Sequence, residues 1–184
     1  TDIYISRSGY TGEDGFEISV SNENAENFIN KVYKIENTLL CGLGCRDSLR
    51  VEAGLSLYGN EINEDITPIQ ANLSWAIDKK RLDDENLNGS NILLQQLQET
   101  KDTVKIGITP VNKTMLRNNM TLHNMEKNEI GYITSGCFSP TLKRSIGIGY
   151  INNFTNKLDK LFVKVRGEFE EVIIDNIPFV KKNY

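Results

Sequence analysis

Apolar and polar residues alternate twice within the first twenty positions. Ile3 and Ile5 alternate with Tyr4 and Ser6, and Phe16, Ile18 and Val20 alternate with Glu17 and Ser19. A period of two is that of a strand. Between the two runs lie Arg7 to Gly15, with glycines at 9, 12 and 15, a stretch suited to unusual backbone angles or close approach. The expected element is strand, Gly-rich turn, strand, and taken alone it is an ordinary hairpin. The period then changes. Phe28, Ile29 and Val32 predict a helix over 24–33, entered through Ser21-Asn22-Glu23-Asn24. After the apolar link Leu39–Gly44, residues 46–54 predict a short helix with Leu49 and Ala53 on one face and Gly54 at its C-terminus.

Residues 55–80 are irregular, with Leu73-Ser74-Trp75-Ala76-Ile77 as a strand or strand end. The charged run Asp78 to Glu85 predicts a solvated linker and a domain boundary, giving domains 1–84 and 85–184. An amphipathic helix is expected over 89–100, with Ile92, Leu93 and Leu97 as its face. From Val104 onward come six short strand patterns, at 105–108, 121–123, 129–133, 145–151, 161–165 and 170–173. That spacing suits a small β-barrel or sandwich, and glycines within the strands suggest bends at barrel corners. The whole is an α+β pattern.

Composition narrows the chemistry. A net charge of −4, from 21 basic and 25 acidic residues, argues against a dominant surface for nucleic acid or anionic membrane. No apolar run approaches the ~20 residues of a spanning helix. Three cysteines, Cys41, Cys45 and Cys137, form no Cys-x-x-Cys pair, which favours a reducing compartment over a disulfide framework. With His123 as the single histidine, no metal site is expected, and a Ser-His-Asp triad is disfavoured. Thr1 enters a strand pattern at once, without a legible targeting segment, as expected for part of a longer polypeptide.

The segment Gly9-Tyr10-Thr11-Gly12-Glu13-Asp14-Gly15-Phe16-Glu17-Ile18 resembles the signature of the glycine cleavage system T-proteins, the aminomethyltransferases. So does Gly42-Leu43-Gly44-Cys45-Arg46-Asp47-Ser48-Leu49-Arg50-Val51-Glu52-Ala53-Gly54, continuing through Leu57-Tyr58-Gly59-Asn60. Further matches follow in family order: Thr67-Pro68 with Leu73-Ser74-Trp75, Gly131 to Gly136 with Ser139 to Lys143, and Pro178-Phe179-Val180. The resemblance is to the later half of such a protein. It implies an α+β fold: the later, ferredoxin-like portion of the folate-binding T-protein fold (strand-strand-helix-helix), then a small C-terminal antiparallel β-barrel. It also implies tetrahydrofolate as co-substrate and the lipoylated H-protein as partner, in bacterial cytoplasm or mitochondrial matrix. The family's catalytic Asp belongs to the first half, so no catalytic residue is assigned here. The related iron–sulfur repair proteins carry a Lys-Gly-Cys-Tyr-x-Gly-Gln-Glu motif that this sequence lacks. A folate-dependent demethylase relative and a non-catalytic folded fragment stay open as alternatives.

Site residues follow from the same resemblance. Glu17 matches the family's folate-contacting Glu, a carboxylate able to accept from pterin N–H groups. Strand alternation sets it opposite Phe16 and Ile18, facing a pocket or solvent. Arg46 matches the folate-binding Arg, suited to the carboxylates of the glutamate tail and placed where a helix N-terminus adds positive charge. Tyr184 matches a substrate-binding Tyr near the family's C-terminus. Tyr10 is the aromatic expected against a folate ring, since Gly9 and Gly12 allow close approach. Arg50 is expected to be structural, pairing with Asp47 or Glu52. Glu13 and Asp14 are expected as turn or solvent groups, Trp75 and Tyr58 as packing residues, and Arg117 with 134–143 as barrel-docking groups.

Overall fold

The computed structural model describes residues 3–82, 84, 87–98, 103–152 and 160–181. Strands β1 (Ile3–Ser6) and β2 (Glu17–Val20) pair antiparallel, Ser6 opposite Glu17, as the alternation predicts. Helix α1 (Asn22–Val32) follows, with Phe28 and Val32 half-buried. Helix α2 (Leu43–Glu52) begins a turn earlier than expected, so Arg46 lies inside its first turn. Its end is fixed by Gly54 at φ +70°. There Gly54 N–H donates to the Val51 carbonyl at 2.9 Å and Leu55 N–H to the Arg50 carbonyl at 2.8 Å, a Schellman motif.

Residues 73–77 correct the sequence expectation of a strand. Ser74–Ala76 form a 3₁₀ turn, closed by Ala76 N–H on the Leu73 carbonyl at 2.9 Å. Leu73, Trp75 and Ile77 fit period two, but their hydrogen bonds are local. Helix α3 (Ser90–Gln98) occupies its expected place, yet it turns Ile92 and Leu97 outward and half-buries Leu93 and Leu94.

The remaining strands are β3 (Thr103–Pro110), β4 (Thr121–His123), β5 (Glu129–Ser139), β6 (Arg144–Asn152), β7 (Leu161–Val165) and β8 (Glu168–Asp175). They close an antiparallel barrel in the order β3-β6-β5-β4-β7-β8. Closure removes both sheet edges. The barrel interior holds Ile106, Ile108, Leu116, Leu122, Ile133, Ile151, Leu161, Val163 and Val172. Along β6 the alternation reverses use: Gly147 and Gly149 face these residues, while Ile146 and Ile148 face outward onto Val51 of α2. A Cβ on Gly149 would lie 2.9 Å from Ile108 Cδ1 and 2.5 Å from the Tyr132 carbonyl oxygen, so its place is set by close packing. It also sits where the β5 register shifts between Ile133 and Ser135, in keeping with a bend. His123 is buried in the barrel wall, its ring edge-on to Phe169 with centroids 5.1 Å apart.

Candidate functional site

Helix α2 is the element on which the barrel docks, and its polar residues do the docking. Arg50, 1% exposed, donates through Nε to Asp47 at 2.8 Å, through Nη1 to Glu61 at 2.9 Å and through Nη2 to Ser135 Oγ at 2.7 Å. Glu61 is fully buried and also accepts from Leu57 N–H at 2.8 Å and Thr134 Oγ1 at 2.5 Å. Glu52 accepts from Ser139 Oγ at 2.5 Å and from Thr141 Oγ1 at 2.8 Å. Of the two partners expected for Arg50, Asp47 is thus present. Glu52, the other alternative, serves the barrel instead. Residues 134–141 dock as expected. Arg117 is exposed, and its backbone N–H turns back to Met120 Sδ, so the docking contacts come from β5 and its end.

Beside this interface lies a corner built from the glycine-rich turn. The Arg46 guanidinium stacks over the Tyr10 ring, 4.4 Å from its centroid. The Tyr10 hydroxyl donates to the Ser56 carbonyl at 2.6 Å. Burial pushes the Tyr10 phenol up, opposed by Arg50 and, more weakly, Arg46, with Glu61 adding to the rise. Gly12, at φ +77°, lies so close to Ala53 that a Cβ there would overlap it, so the turn seats directly on the end of α2. Arg7 closes the turn by gripping Asp14 bidentately at 2.9 and 2.8 Å, which holds the Asp14 carboxyl below its usual range. Lys105, from the outer face of β3, reaches the same loop and donates to Ser56 Oγ at 2.8 Å. Burial lowers the Lys105 ammonium, with Glu61 opposing and Arg50 adding to the fall.

The structure therefore joins Tyr10 to Arg46. Glu17 has a different partner: it is exposed at the hairpin and accepts from Ser8 Oγ at 2.5 Å. Tyr184 lies outside the described residues. The chain does return toward the turn, since Phe179 and Val180 N–H donate to the Glu52 carbonyl at 2.9 and 3.1 Å. Lys181 lines a cavity of about 100 Å³ with Thr11, Gly12, Leu49 and Thr141. That volume is below the ~300 Å³ at which ligand pockets begin. Tyr58 and Trp75 correct the packing expectation: they are 70% and 80% exposed, each on a tight local turn. Trp75 instead rims an apolar cavity of about 300 Å³ with Ile77, Leu82 and Leu97.

Sequence reasoning missed Ser56, Glu61 and Lys105. Glu61 follows the Tyr58-Gly59-Asn60 motif without any periodic signal. Lys105 carried one: a polar residue between Val104 and Ile106 in a barrel strand must face outward, toward whatever covers the barrel. Among the described residues, no group of three His, Cys, Asp or Glu could hold a metal ion, and no helix is long and apolar enough to cross a membrane.

Two family models match the chain: the GCVT N-terminal domain over residues 1–81, and the glycine cleavage T-protein C-terminal barrel domain over residues 101–181. The mitochondrial aminomethyltransferase of Flaveria trinervia is 41% identical over 184 residues, covering 98% of this chain and 45% of that protein. The human mitochondrial aminomethyltransferase is 38% identical over 181 residues, with the same coverage. The crystal structure of the glycine cleavage system aminomethyltransferase T from Bartonella henselae superposes with a TM-score of 0.92 at 36% identity, over 100% of this chain and 51% of that one. The chain belongs to the glycine cleavage T-protein family. It spans about half the length of the curated relatives it matches.

Proposed function

We propose that this chain forms the later half of a tetrahydrofolate-dependent aminomethyltransferase, divided into a folate-domain portion (1–84) and a barrel (85–184). In the reaction, folate N5 attacks the methylene carbon of the aminomethyl group borne on the H-protein lipoyl arm. The C–N bond breaks and the amine leaves as ammonia; folate N10 then bonds to the same carbon, the C–S bond breaks, the lipoyl sulfur leaves as a thiol, and 5,10-methylenetetrahydrofolate forms, the N5 and N10 protons going to the ammonia and the thiol. Folate supplies the nucleophile, so the protein's share is positioning and electrostatics. Arg46 takes a folate carboxylate, Tyr10 presents a ring face, Glu17 accepts from the pterin, and Tyr184 is a substrate-binding residue by its family match. The relatives' names support a mitochondrial setting, and the lipoylated H-protein is the partner.

The observation that carries this reading is the Arg46–Tyr10 stack, tied to Ser56 at the seam of helix, turn and barrel. Around the hairpin and the loop into α2, Tyr4, Ile5, Phe16, Leu39, Leu40 and Leu43 are exposed, Leu43 at 84%. Large apolar side chains exposed in such number mark surface to be covered. Residues 1–81 match a domain model whose full-length members are about twice this chain's length, so the occupant we assign is the first half of the same fold.

The test is a transfer assay with aminomethyl-lipoyl H-protein and tetrahydrofolate, followed by methylenetetrahydrofolate formation. Protein containing both halves turns over, and the 184-residue chain alone does not. Turnover by the chain alone at the two-half rate would refute this division of labour.

A further inference from the structure

Lys105 is 6% exposed, yet the partner of its ammonium is a neutral hydroxyl, Ser56 Oγ. Burying an ammonium in this way is costly, and a neutral side chain could make the same single bond. The arrangement makes sense from the loop it holds. Lys105 and Tyr150 are cross-strand partners on the outer face of β3 and β6. Both reach the segment 55–61: Lys105 to Ser56 Oγ at 2.8 Å, and Tyr150 Oη to the Glu61 carbonyl at 2.8 Å. The barrel thus grips the loop at both ends. The Ser56 end is the one whose carbonyl accepts from Tyr10, which in turn lies under Arg46. The base of β3 is itself fixed, since Asn72 Nδ2 donates to the Lys105 carbonyl at 3.1 Å.

We infer that Lys105 is a positioning residue, which sets Ser56 from the barrel and through it the Tyr10–Arg46 corner. The barrel then does more than cover α2: its seating is transmitted to the ligand-facing ring and guanidinium. This inference rests on reading that corner as a folate site.

The test uses the intact protein with ¹³C-labelled tyrosine, the Tyr10 and Tyr150 signals being assigned by Tyr→Phe variants. In Lys105→Met without ligand, the Tyr10 signal should shift or broaden while the Tyr150 signal stays in place. Tetrahydrofolate binding should weaken about tenfold, the size of one lost charged hydrogen bond. Lys105→Arg should restore much of both. Ser56→Ala combined with Lys105→Met removes both partners and so leaves no unpaired group. This double variant should stay folded and still displace the Tyr10 signal. An unmoved Tyr10 signal, or Tyr10 and Tyr150 disturbed together, would overturn the inference, the second outcome making Lys105 a general strut. Unchanged folate affinity in Lys105→Met would overturn it too, provided Arg46→Ala weakens binding. If Arg46→Ala also binds normally, the folate reading itself falls.

Discussion

Replacing Arg50 with Met is expected to cost about 3–5 kcal/mol, because it strands a buried carboxylate. Glu61 is fully buried, and Arg50 is the cation that compensates it, at 2.9 Å. Without the guanidinium, Glu61 keeps the neutral donors Leu57 N–H and Thr134 Oγ1. Ser135 and Asp47 lose a partner at the same time. Against a total stability of roughly 5–15 kcal/mol, such a loss leaves the fold marginal. Urea unfolding of the intact protein reads the effect as a lowered midpoint. The double variant Arg50→Met with Glu61→Leu should recover much of it, since an apolar pair of similar volume pays no desolvation. A single variant within about 0.5 kcal/mol of the parent, the range of an ordinary surface change, would contradict the role assigned to this pair.

Gly54→Val should be comparably severe for a different reason. Gly54 sits at φ +70°, where a β-branched residue is a genuine outlier. A Cβ there would also run into Ile177 Cγ2, in the segment that covers the outer barrel face. Backbone strain and overpacking each cost about 1–3 kcal/mol, so a loss of about 3 kcal/mol or more is expected. Gly59→Ala separates the two effects. Gly59 has φ +91° with open space beyond it, so the loss there should be only the backbone strain of about 1–2 kcal/mol. Thermal unfolding of the two variants compares them directly. Equal losses would mean that the Ile177 contact contributes nothing.

Local periodicity made much of this fold legible. The β1–β2 pairing, α2 with its Gly54 terminus, and all six barrel strands follow from alternation, helical spacing and turn residues, because those signals report backbone hydrogen bonding close in sequence. Where the expectation failed, two periods fitted the same residues. Leu73, Trp75 and Ile77 alternate like a strand, but the 3₁₀ hydrogen bonds of 74–77 were equally available. Ile92 and Leu97 turn outward although they lie on the apolar stripe, since which side of a short helix is covered depends on distant chain. The same distance hid the seam. Glu61 meets Thr134 across 73 residues and Lys105 meets Ser56 across 49, and neither spacing leaves a mark in the sequence. Tyr10 and Arg46 were legible only through a family motif, and the motif says nothing of the cation–ring stack that joins them.

The most direct measurement of the central claim is calorimetric titration of tetrahydrofolate into the intact protein and into its Arg46→Ala, Glu17→Ala and Tyr10→Leu variants. Saturable binding by the parent is expected, weakened about 10- to 100-fold by Arg46→Ala and by Glu17→Ala, as befits a lost hydrogen bond to a charged group. Tyr10→Leu should weaken it by a smaller factor. Parental affinity in all three folded variants would place the folate site elsewhere and contradict the account.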